Sequence, residues 1–306
     1  MKSEKKLSIC PISNSSGEIL RLKKPCDLFE SYSRINKINL SLDLKNKYFT
    51  ETITEFHSKN SDLRWYSPCR LGDSDFYEEL SKNPHYYSFE TWDKIKTLEF
   101  LNRDKVRSFI DVGCGEGWLV KKAIEVGIKG CGVDINEKAV STAKLNGFPL
   151  YLPKDKELSG KIFDTLVSLQ TLEHVAEPAN WLSNLITTYK PKEIIIAVPA
   201  HDTMLGRTNE PLCWPPHHFT LWSEKSIRFL AKQLNLSVLS VEYEPNTWGR
   251  FNNTLNREGR RNLNGTIRFP KGRRGKIMFR VCQLLKINWA CRSHTLLAHL
   301  KTRDHE

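Results

Sequence analysis

Residues 108–118 read Ser-Phe-Ile-Asp-Val-Gly-Cys-Gly-Glu-Gly-Trp, and no other stretch says as much about the fold. Its apolar first half predicts a buried strand that ends near Asp111. The residues Gly113, Gly115 and Gly117 then predict a tight turn into a helix. Glycines at this spacing let the backbone approach a ligand closely, and the helix that follows offers N–H groups to it. The stretch therefore predicts a strand–turn–helix ligand site.

A second short strand supports a ligand at this turn. The residues Gly132-Val133-Asp134-Ile135-Asn136 again read as a strand that ends in a carboxylate. An acid about 20 residues beyond the first turn, at the tip of the next strand, can accept hydrogen bonds from ribose hydroxyls. The two strand ends together predict a site for a nucleoside cofactor.

The glycine spacing and Asp111 indicate which cofactor fits. The dinucleotide fingerprint is Gly-x-Gly-x-x-Gly, whereas here the third glycine, Gly117, comes one residue early. A carboxylate at Asp111 would repel a pyrophosphate, but it suits a cationic amine or sulfonium. The pattern therefore disfavours a nicotinamide oxidoreductase.

The motif Asp-x-Gly-x-Gly-x-Gly with an acid on the next strand resembles the class I S-adenosylmethionine-dependent methyltransferases. Residues 163–175, which end Leu-Glu-His-Val, and residues 215–223 extend the resemblance to the methyltransferase-23 and ubiquinone-biosynthesis-like subgroup. The resemblance spans roughly residues 92–245 and implies S-adenosylmethionine as the cofactor. It implies these cofactor-binding residues: Asp111, Gly113, Cys114, Gly115, Gly117, Asp134, Ile135 and Gln170.

Strands and helices alternate from about residue 92, which predicts an α/β fold with a parallel sheet covered on both faces. The predicted strands are 107–112, 129–134, 148–152, 162–168, 193–199, 236–243 and 293–299. The predicted helices are 92–103, 117–127, 136–146, 177–189 and 223–234. We therefore expect a Rossmann-like, seven-stranded, mostly parallel sheet. Ligands of such sheets bind beyond the carboxyl ends of the strands, where Asp111, Asp134 and Gln170 all fall.

Two further regions flank the predicted methyltransferase domain, which covers residues 91–306. Residues 1–90 are rich in aromatic and charged side chains and predict a helical or irregular extension, which either packs on the domain or caps its substrate. Residues 249–292 form a basic insertion before the last strand. Within it, residues 271–287 predict an amphipathic basic helix. Its apolar face carries Ile277, Val281, Leu284 and Leu285, and its basic face carries Lys276 and Arg280.

The net charge of +12 is concentrated at the C-terminal end. From Arg250 to Glu306 fourteen Lys/Arg stand against three Asp/Glu, a balance of +11. A localised basic region points to an anionic surface or a polyanion. The helix at 271–287 either lies on an anionic membrane surface, receives a lipid-linked or phosphorylated substrate, or only packs its apolar face on the sheet. Nucleic acid is the other candidate partner.

Three histidines are candidates for a catalytic base. Methyl transfer to an oxygen benefits from a group that removes the hydroxyl proton, and histidine titrates near neutral pH. His217 and His218 lie in a proline-rich loop, and His201 follows the fifth predicted strand of the domain. Glu173 and His174 follow the fourth strand and either support the sheet edge or line the active site.

The eight cysteines are scattered without a Cys-x-x-Cys pair, which predicts reduced thiols and a cytoplasmic protein. Cys10 and Cys26 supply too few ligands for a tetrahedral zinc site, so no metal is expected. No run approaches the roughly 20 apolar residues of a membrane span, and no secretory signal is expected. Peripheral attachment at the inner membrane surface is compatible with this location.

The sequence thus predicts an S-adenosylmethionine-dependent methyltransferase that O-methylates a small molecule or a glycan, such as a cell-surface or lipid-linked saccharide. One alternative is an RNA methyltransferase that uses the basic C-terminal segment. The Leu-Glu-His-Val ending disfavours it, because many base-amino methyltransferases carry Asn/Asp-Pro-Pro-aromatic there. Another alternative is a non-catalytic scaffold that binds the cofactor. The oligomeric state is not indicated.

Overall fold

The protein consists of two compact units. The computed structural model describes residues 8–83, 90–104, 106–203, 208, 210–257 and 269–303. The first unit is formed by residues 1–80, 199–223 and 242–296, and the second by residues 81–198, 224–241 and 297–306. The first unit thus joins most of the predicted extension to two later segments of the chain.

The N-terminal segment of the first unit combines helices with a small sheet. Its elements are β1 (Glu18–Lys23), α1 (Pro25–Ser31), a π-helical turn (Tyr32–Asn36), α2 (Leu42–Tyr48), β2 (Ile53–His57), β3 (Arg64–Ser67) and α3 (Ser74–Ser81). The strands pair antiparallel in the order β1-β2-β3-β9, where β9 is Thr220–Leu221.

This sheet corrects the prediction for residues 1–90. The expected helices are present, but the prediction of a helical or irregular extension left out the three strands. These strands have only 6, 5 and 4 residues, so the alternation of apolar and polar side chains is too short to stand out. Moreover, β3 pairs with Thr220–Leu221, a partner that lies far along the chain.

The second unit is built on a seven-stranded sheet. Its elements are α4 (Trp92–Arg103), β4 (Ser108–Val112), α5 (Trp118–Glu125), β5 (Lys129–Val133), α6 (Glu137–Leu145), β6 (Leu150–Tyr151), β7 (Thr165–Leu169), α7 (Pro178–Tyr189), β8 (Glu193–Pro199), α8 (Glu224–Gln233), β10 (Leu236–Pro245) and β11 (Arg292–Thr302). The strand order is β10-β11-β8-β7-β4-β5-β6, and the pairs from β8 to β6 are parallel. The predicted Rossmann-like sheet is confirmed.

The core of this unit explains why its strands are continuous apolar runs. Every residue of β7 is buried, as are all residues of β8 after Glu193, which is typical of parallel strands covered on both faces. Phe109, Val167 and Ile195 from three neighbouring strands belong to one hydrophobic cluster. The parallel pairing of β4 with β5 and β7 brings the carboxyl ends of these strands to one edge of the sheet.

The C-terminal segment of the first unit is helical and has its own core. It contains α9 (Trp248–Arg257), α10 (Gly272–Leu284) and α11 (Asn288–Cys291). The buried residues of this cluster are Phe251, Leu255, Phe269, Phe279, Cys282 and Ala290. In the described part of the chain, no helix is both long and apolar enough to cross a membrane.

The orientation of α10 differs from one sequence-based alternative. The structure buries Phe279 and Cys282, whereas the predicted apolar residues Ile277, Val281 and Leu284 are exposed. The alternative in which this predicted face packs on the sheet is therefore wrong. The helix carries two apolar stripes, and the aromatic ring of Phe279 selects the buried one by packing against Trp248 and Phe251.

Candidate cofactor site and catalytic residues

The turn after β4 requires glycine because its backbone is left-handed and because neighbouring side chains lie very close to it. Gly113, Gly115 and Gly117 have φ of +84°, +55° and +74°, in the left-handed region that side chains disfavour. A Cβ on Gly113 would lie 2.0 Å from Thr171 Oγ1, and one on Gly117 would lie 2.8 Å from Leu150 Cδ1. A Cβ on Gly115 would meet nothing within 4 Å. The outer glycines therefore allow close packing, and Gly115 leaves open space at the turn.

Asp134 holds the turn to the end of β5. The Gly115 N–H donates to one carboxylate oxygen of Asp134 at 2.7 Å, and the Asn136 N–H donates to the other at 2.9 Å. Each carboxylate oxygen can accept a second hydrogen bond, so these contacts leave capacity for ligand hydroxyls. The next residue, Ile135, is exposed and offers an apolar surface at the strand end.

Cys114 has a packing role in the same turn. Its N–H donates to the Val133 carbonyl at 3.2 Å. Its Sγ lies so close to Gly132 that a Cβ there would be only 2.5 Å away. Burial raises the pKa of the Cys114 thiol well above its usual value, so it stays protonated. Its backbone, rather than its sulfur, is the part of this predicted cofactor residue that can serve a ligand.

Asp111 is a buried carboxyl group at the end of β4. Its Oδ1 has no hydrogen-bond partner among the described residues. Burial raises its pKa to about 7; the positive charge of Lys94 opposes this shift, and the negative charges of Asp134 and Asp93 add to it. A cationic ligand group beside Asp111 would satisfy the orphaned oxygen and favour its charged form.

Gln170 and Asp93 form a contact that the sequence did not predict. Gln170 directly follows β7 with φ of +51°, and its backbone N–H donates to the Ala197 carbonyl at 2.8 Å. Its side-chain Nε2 donates to Asp93 Oδ2 at 3.2 Å, and Asp93 is buried in the first turn of α4. Nothing in the local sequence distinguishes Asp93 from a helix-start acid, so only the packing of α4 reveals this second buried carboxylate.

Glu173 and His174 lie in a short 3-10 turn, Leu172–His174, which follows Gln170 in the chain. Glu173 is fully buried, and burial raises the pKa of its carboxyl group well above the usual value. His174 is partly exposed, with Nε2 3.9 Å from Glu173 Oε1. The burial of Glu173 supports a role in holding the edge of the sheet. A direct role of His174 in the active site stays a prediction.

His217 and His218 lie in the first unit, after a 3-10 turn at Pro211–Cys213. Both are buried, with ring centroids 4.3 Å apart. His217 Nδ1 is 2.8 Å from the Leu212 carbonyl, which can only accept, so Nδ1 carries the proton. A neutral imidazole in this tautomer has its basic nitrogen at Nε2, as a general base requires.

His201, also in the first unit, is a weaker candidate for the base. Its Nε2 donates to the Asp62 backbone carbonyl at 2.7 Å. Burial, followed by the charge of Arg64, lowers its pKa to about 3. A base is most effective when its pKa lies near the working pH, so this environment disfavours His201 as the base.

Comparison with known proteins identifies the family. The sequence profile of the methyltransferase-domain family matches residues 85–241, just over half of the 306-residue chain. The chain belongs to this family. The described Rossmann-like fold is also that of the class I S-adenosylmethionine-dependent methyltransferases, which the sequence resembles. The residues of the second unit fit S-adenosylmethionine, which is cationic and carries a ribose. The unpartnered oxygen of Asp111 could accept from a cationic group of the ligand, and the open space at Gly115 leaves room for the ligand at the turn.

Two curated proteins and one solved structure illustrate the similarity. The mitochondrial ubiquinone biosynthesis O-methyltransferase of Arabidopsis thaliana is 33% identical over 189 residues, 57% of this chain and 54% of that protein. A probable tRNA (uracil-O(2)-)-methyltransferase of Caenorhabditis briggsae is 29% identical over 192 residues, 56% of this chain and 34% of that protein. The chain thus spans about half the length of the first relative and a third of the second.

The solved structure is a SAM dependent methyltransferase from Archaeoglobus fulgidus. It matches with a TM-score of 0.50 at 17% identity, and the match covers 75% of this chain and all of that protein. At this identity the match supports the fold alone.

The packing of Gly113 leads to a stability prediction. Gly113→Ala should lower the free energy of unfolding by about 3 kcal/mol, because the added Cβ meets Thr171 and the residue keeps a left-handed φ. Gly127→Ala is the matched control, since Gly127 has φ of +85° but no atom within 4 Å of its ideal Cβ. It should lose only about 1 kcal/mol. Equal losses in urea unfolding would contradict the close approach of Thr171.

The raised pKa of Asp111 leads to a pH prediction. The carboxyl group is mostly protonated below pH 7 and ionised above it, and the ionised form favours a cationic ligand. Affinity for S-adenosylmethionine should therefore rise roughly tenfold from pH 6 to pH 8. Calorimetry at several pH values measures this change. Asp111→Asn should bind more weakly with a flat profile; an unchanged slope in that variant would assign the titration to another group.

Proposed function

We propose that the protein transfers the methyl group of S-adenosylmethionine to a hydroxyl oxygen of a small acceptor molecule. The observation that carries this proposal is the intact cofactor turn, in which Asp134 holds the Gly115 N–H while Gly115 leaves open space. When bound, S-adenosylmethionine supplies a methyl group that its cationic sulfur already activates. The chain then has to position the acceptor and remove its proton.

Oxygen is the acceptor atom that the histidine loop supports. A neutral hydroxyl must lose its proton as the new C–O bond forms, and His217 holds the tautomer that can take it. The names of both curated relatives describe transfer to oxygen, one in ubiquinone biosynthesis and one on a tRNA uracil. These names belong to those proteins, and they support the same acceptor atom here.

Two classes of hydroxylated small molecule are the acceptors to test. The sequence favours a glycan, in particular a cell-surface or lipid-linked saccharide. The Arabidopsis relative favours an intermediate of ubiquinone biosynthesis. Both would need only one hydroxyl near the activated methyl group, in a site that excludes water.

Transfer of a labelled methyl group tests the proposal. The full chain is incubated with S-adenosylmethionine that carries a tritiated methyl group and with lipid-linked saccharides, ubiquinone precursors or RNA. We expect label in a hydroxylated small molecule, with mass spectrometry locating it on oxygen. Asp134→Ala serves as the control for transfer that depends on the cofactor site. Label on nitrogen or carbon would contradict O-methylation.

The alternatives predict different results in the same assay. An RNA methyltransferase is favoured by the basic C-terminal segment and by the tRNA relative, and it would label RNA and neither small-molecule class. A scaffold would bind S-adenosylhomocysteine in calorimetry and transfer no label to any acceptor. Either outcome would replace the proposed function.

A further inference from the structure

The outward face of α10 combines exposed apolar side chains with cations. Its apolar members Ile277, Val281, Leu284 and Leu285, the last directly after the helix, are 53%, 46%, 82% and 68% exposed. Its basic members Arg273, Arg274, Lys276 and Arg280 are exposed as well. We call these eight residues the α10 surface. Large apolar side chains clustered in water mark interaction sites, whereas isolated ones need no explanation.

The opposite face of α10 is packed tightly on the protein. The exposed apolar residues of the α10 surface are therefore not needed to hold the helix in place. Phe279 is buried, with its ring centroid 5.9 Å from that of Trp248 and 4.8 Å from that of Phe251. At Gly275 a Cβ would lie 2.7 Å from the ring of Trp248, so α10 approaches α9 as closely as glycine allows. These contacts fix which side of the helix faces solvent.

The chain segment that carries the α10 surface has charged side chains of one sign. From Gly259 to Arg303 the chain contains twelve Lys/Arg and no Asp/Glu. Among the described residues, no carboxylate forms an ion pair with Arg273, Arg274, Lys276 or Arg280. The preferred partner of this surface is therefore anionic.

We propose that the α10 surface binds the face of a lipid bilayer that contains anionic lipids, with the helix lying parallel to the membrane plane. The apolar stripe of Ile277, Val281 and Leu284 would enter the boundary between headgroups and acyl chains. The flanking cations would contact the lipid phosphates. In a cell this would hold a cytoplasmic protein at the inner membrane surface.

Other partners fit the α10 surface less well. RNA would pair with the arginines but would leave Leu284 and Ile277 in water. A second copy that met the same surface across a two-fold axis would place cations such as Arg280 against like charges. A bilayer with anionic headgroups meets both the apolar and the cationic requirement.

Vesicle co-sedimentation of the full chain tests this proposal. We expect binding to vesicles of phosphatidylcholine and phosphatidylglycerol at least about tenfold tighter than to vesicles of phosphatidylcholine alone. Added salt should weaken this binding, because it screens the attraction between exposed charges. Equal binding to both kinds of vesicle, or to neither, would overturn the proposal.

Two double variants separate the parts of the surface. Lys276→Glu with Arg280→Glu should abolish the preference for anionic vesicles. Its matched control, Lys129→Glu with Lys154→Glu, makes the same charge change at two exposed lysines of the second unit and should keep most of the binding. If both pairs weakened binding equally, net charge rather than the α10 surface would be responsible.

The apolar pair tests insertion. Ile277→Asn with Leu284→Asn should weaken vesicle binding about tenfold or more, because both side chains are exposed and insert in the proposed complex. Leu145→Asn with Ile162→Asn, at exposed positions of the second unit, is the control and should have little effect. No loss in the first pair would overturn insertion.

Two results would assign the α10 surface to another partner. One is salt-sensitive RNA binding, with no vesicle binding, that is lost in Lys276→Glu with Arg280→Glu. The other is a dimer in light scattering that Leu284→Asn converts to a monomer. None of these readouts uses the cofactor or an acceptor, so the result stands independently of the proposed methyl transfer.

Discussion

Replacing Asp134 with alanine should weaken the binding of S-adenosylmethionine roughly 100-fold. The carboxylate holds the Gly115 and Asn136 N–H groups and is predicted to accept the ribose hydroxyls. A hydrogen bond to a charged group contributes about 1.5–3 kcal/mol. The loss of two such bonds to the ligand therefore costs about 3 kcal/mol or more, which corresponds to about two orders of magnitude in affinity. Isothermal titration calorimetry with the cofactor or with S-adenosylhomocysteine measures it.

Glu125→Ala is the matched control for this variant. It also removes one carboxylate from the second unit, but Glu125 ends α5 on the surface and pairs only with Lys122 among the contacts described. Its affinity should equal that of the unmodified protein. Unchanged affinity in Asp134→Ala, or tight binding of NAD(H) without binding of S-adenosylhomocysteine, would contradict the assignment of the cofactor site.

Replacing His217 with alanine should lower kcat on the proposed hydroxyl acceptor by roughly 10²–10⁴-fold. The reason is the loss of the nitrogen that is proposed to take the proton; the Leu212 carbonyl sets the tautomer of this imidazole. Affinity for S-adenosylhomocysteine should not change, because the described contacts of Asp111, Asp134 and Gln170 do not involve this histidine. Single-turnover rates together with calorimetry separate the two effects.

His201→Ala provides the comparison for the base. With a pKa of about 3, His201 is a weak base near neutral pH, so its loss should change kcat much less than the loss of His217. Circular dichroism checks that each variant is folded. If His201→Ala or His218→Ala abolished transfer while His217→Ala kept near-normal kcat, the base would be one of those two residues.

Local sequence was sufficient for the elements around the cofactor turn. Helix α4 runs from Trp92 to Arg103 and β8 from Glu193 to Pro199, which are the bounds that the sequence predicted. Their beginnings and ends depend on short-range properties: apolar periodicity in the helix and a continuous apolar run in the strand. The glycines at 113, 115 and 117 could be predicted for the same reason, since a strand–turn–helix needs left-handed backbone at its turn.

Long-range contacts decided the features that the sequence left open or obscured. Two cases are the β3 pairing with Thr220–Leu221 and the hydrogen bond between Gln170 and Asp93, which join residues far apart in the chain. In α10 the sequence allowed two apolar faces, and only the aromatic ring contacts of Phe279 selected the buried one. No pattern within a single helix contains that information.

By itself, the sequence determined the class of fold, the cofactor turn and the carboxylates at the strand ends, because these features follow from residue type and spacing along one stretch of chain. Only the tertiary structure decided the chemical state of the side chains. Burial raises the pKa of Asp111 to about 7 and lowers that of His201 to about 3. Such shifts arise from lost solvent and neighbouring charges, which depend on packing in three dimensions.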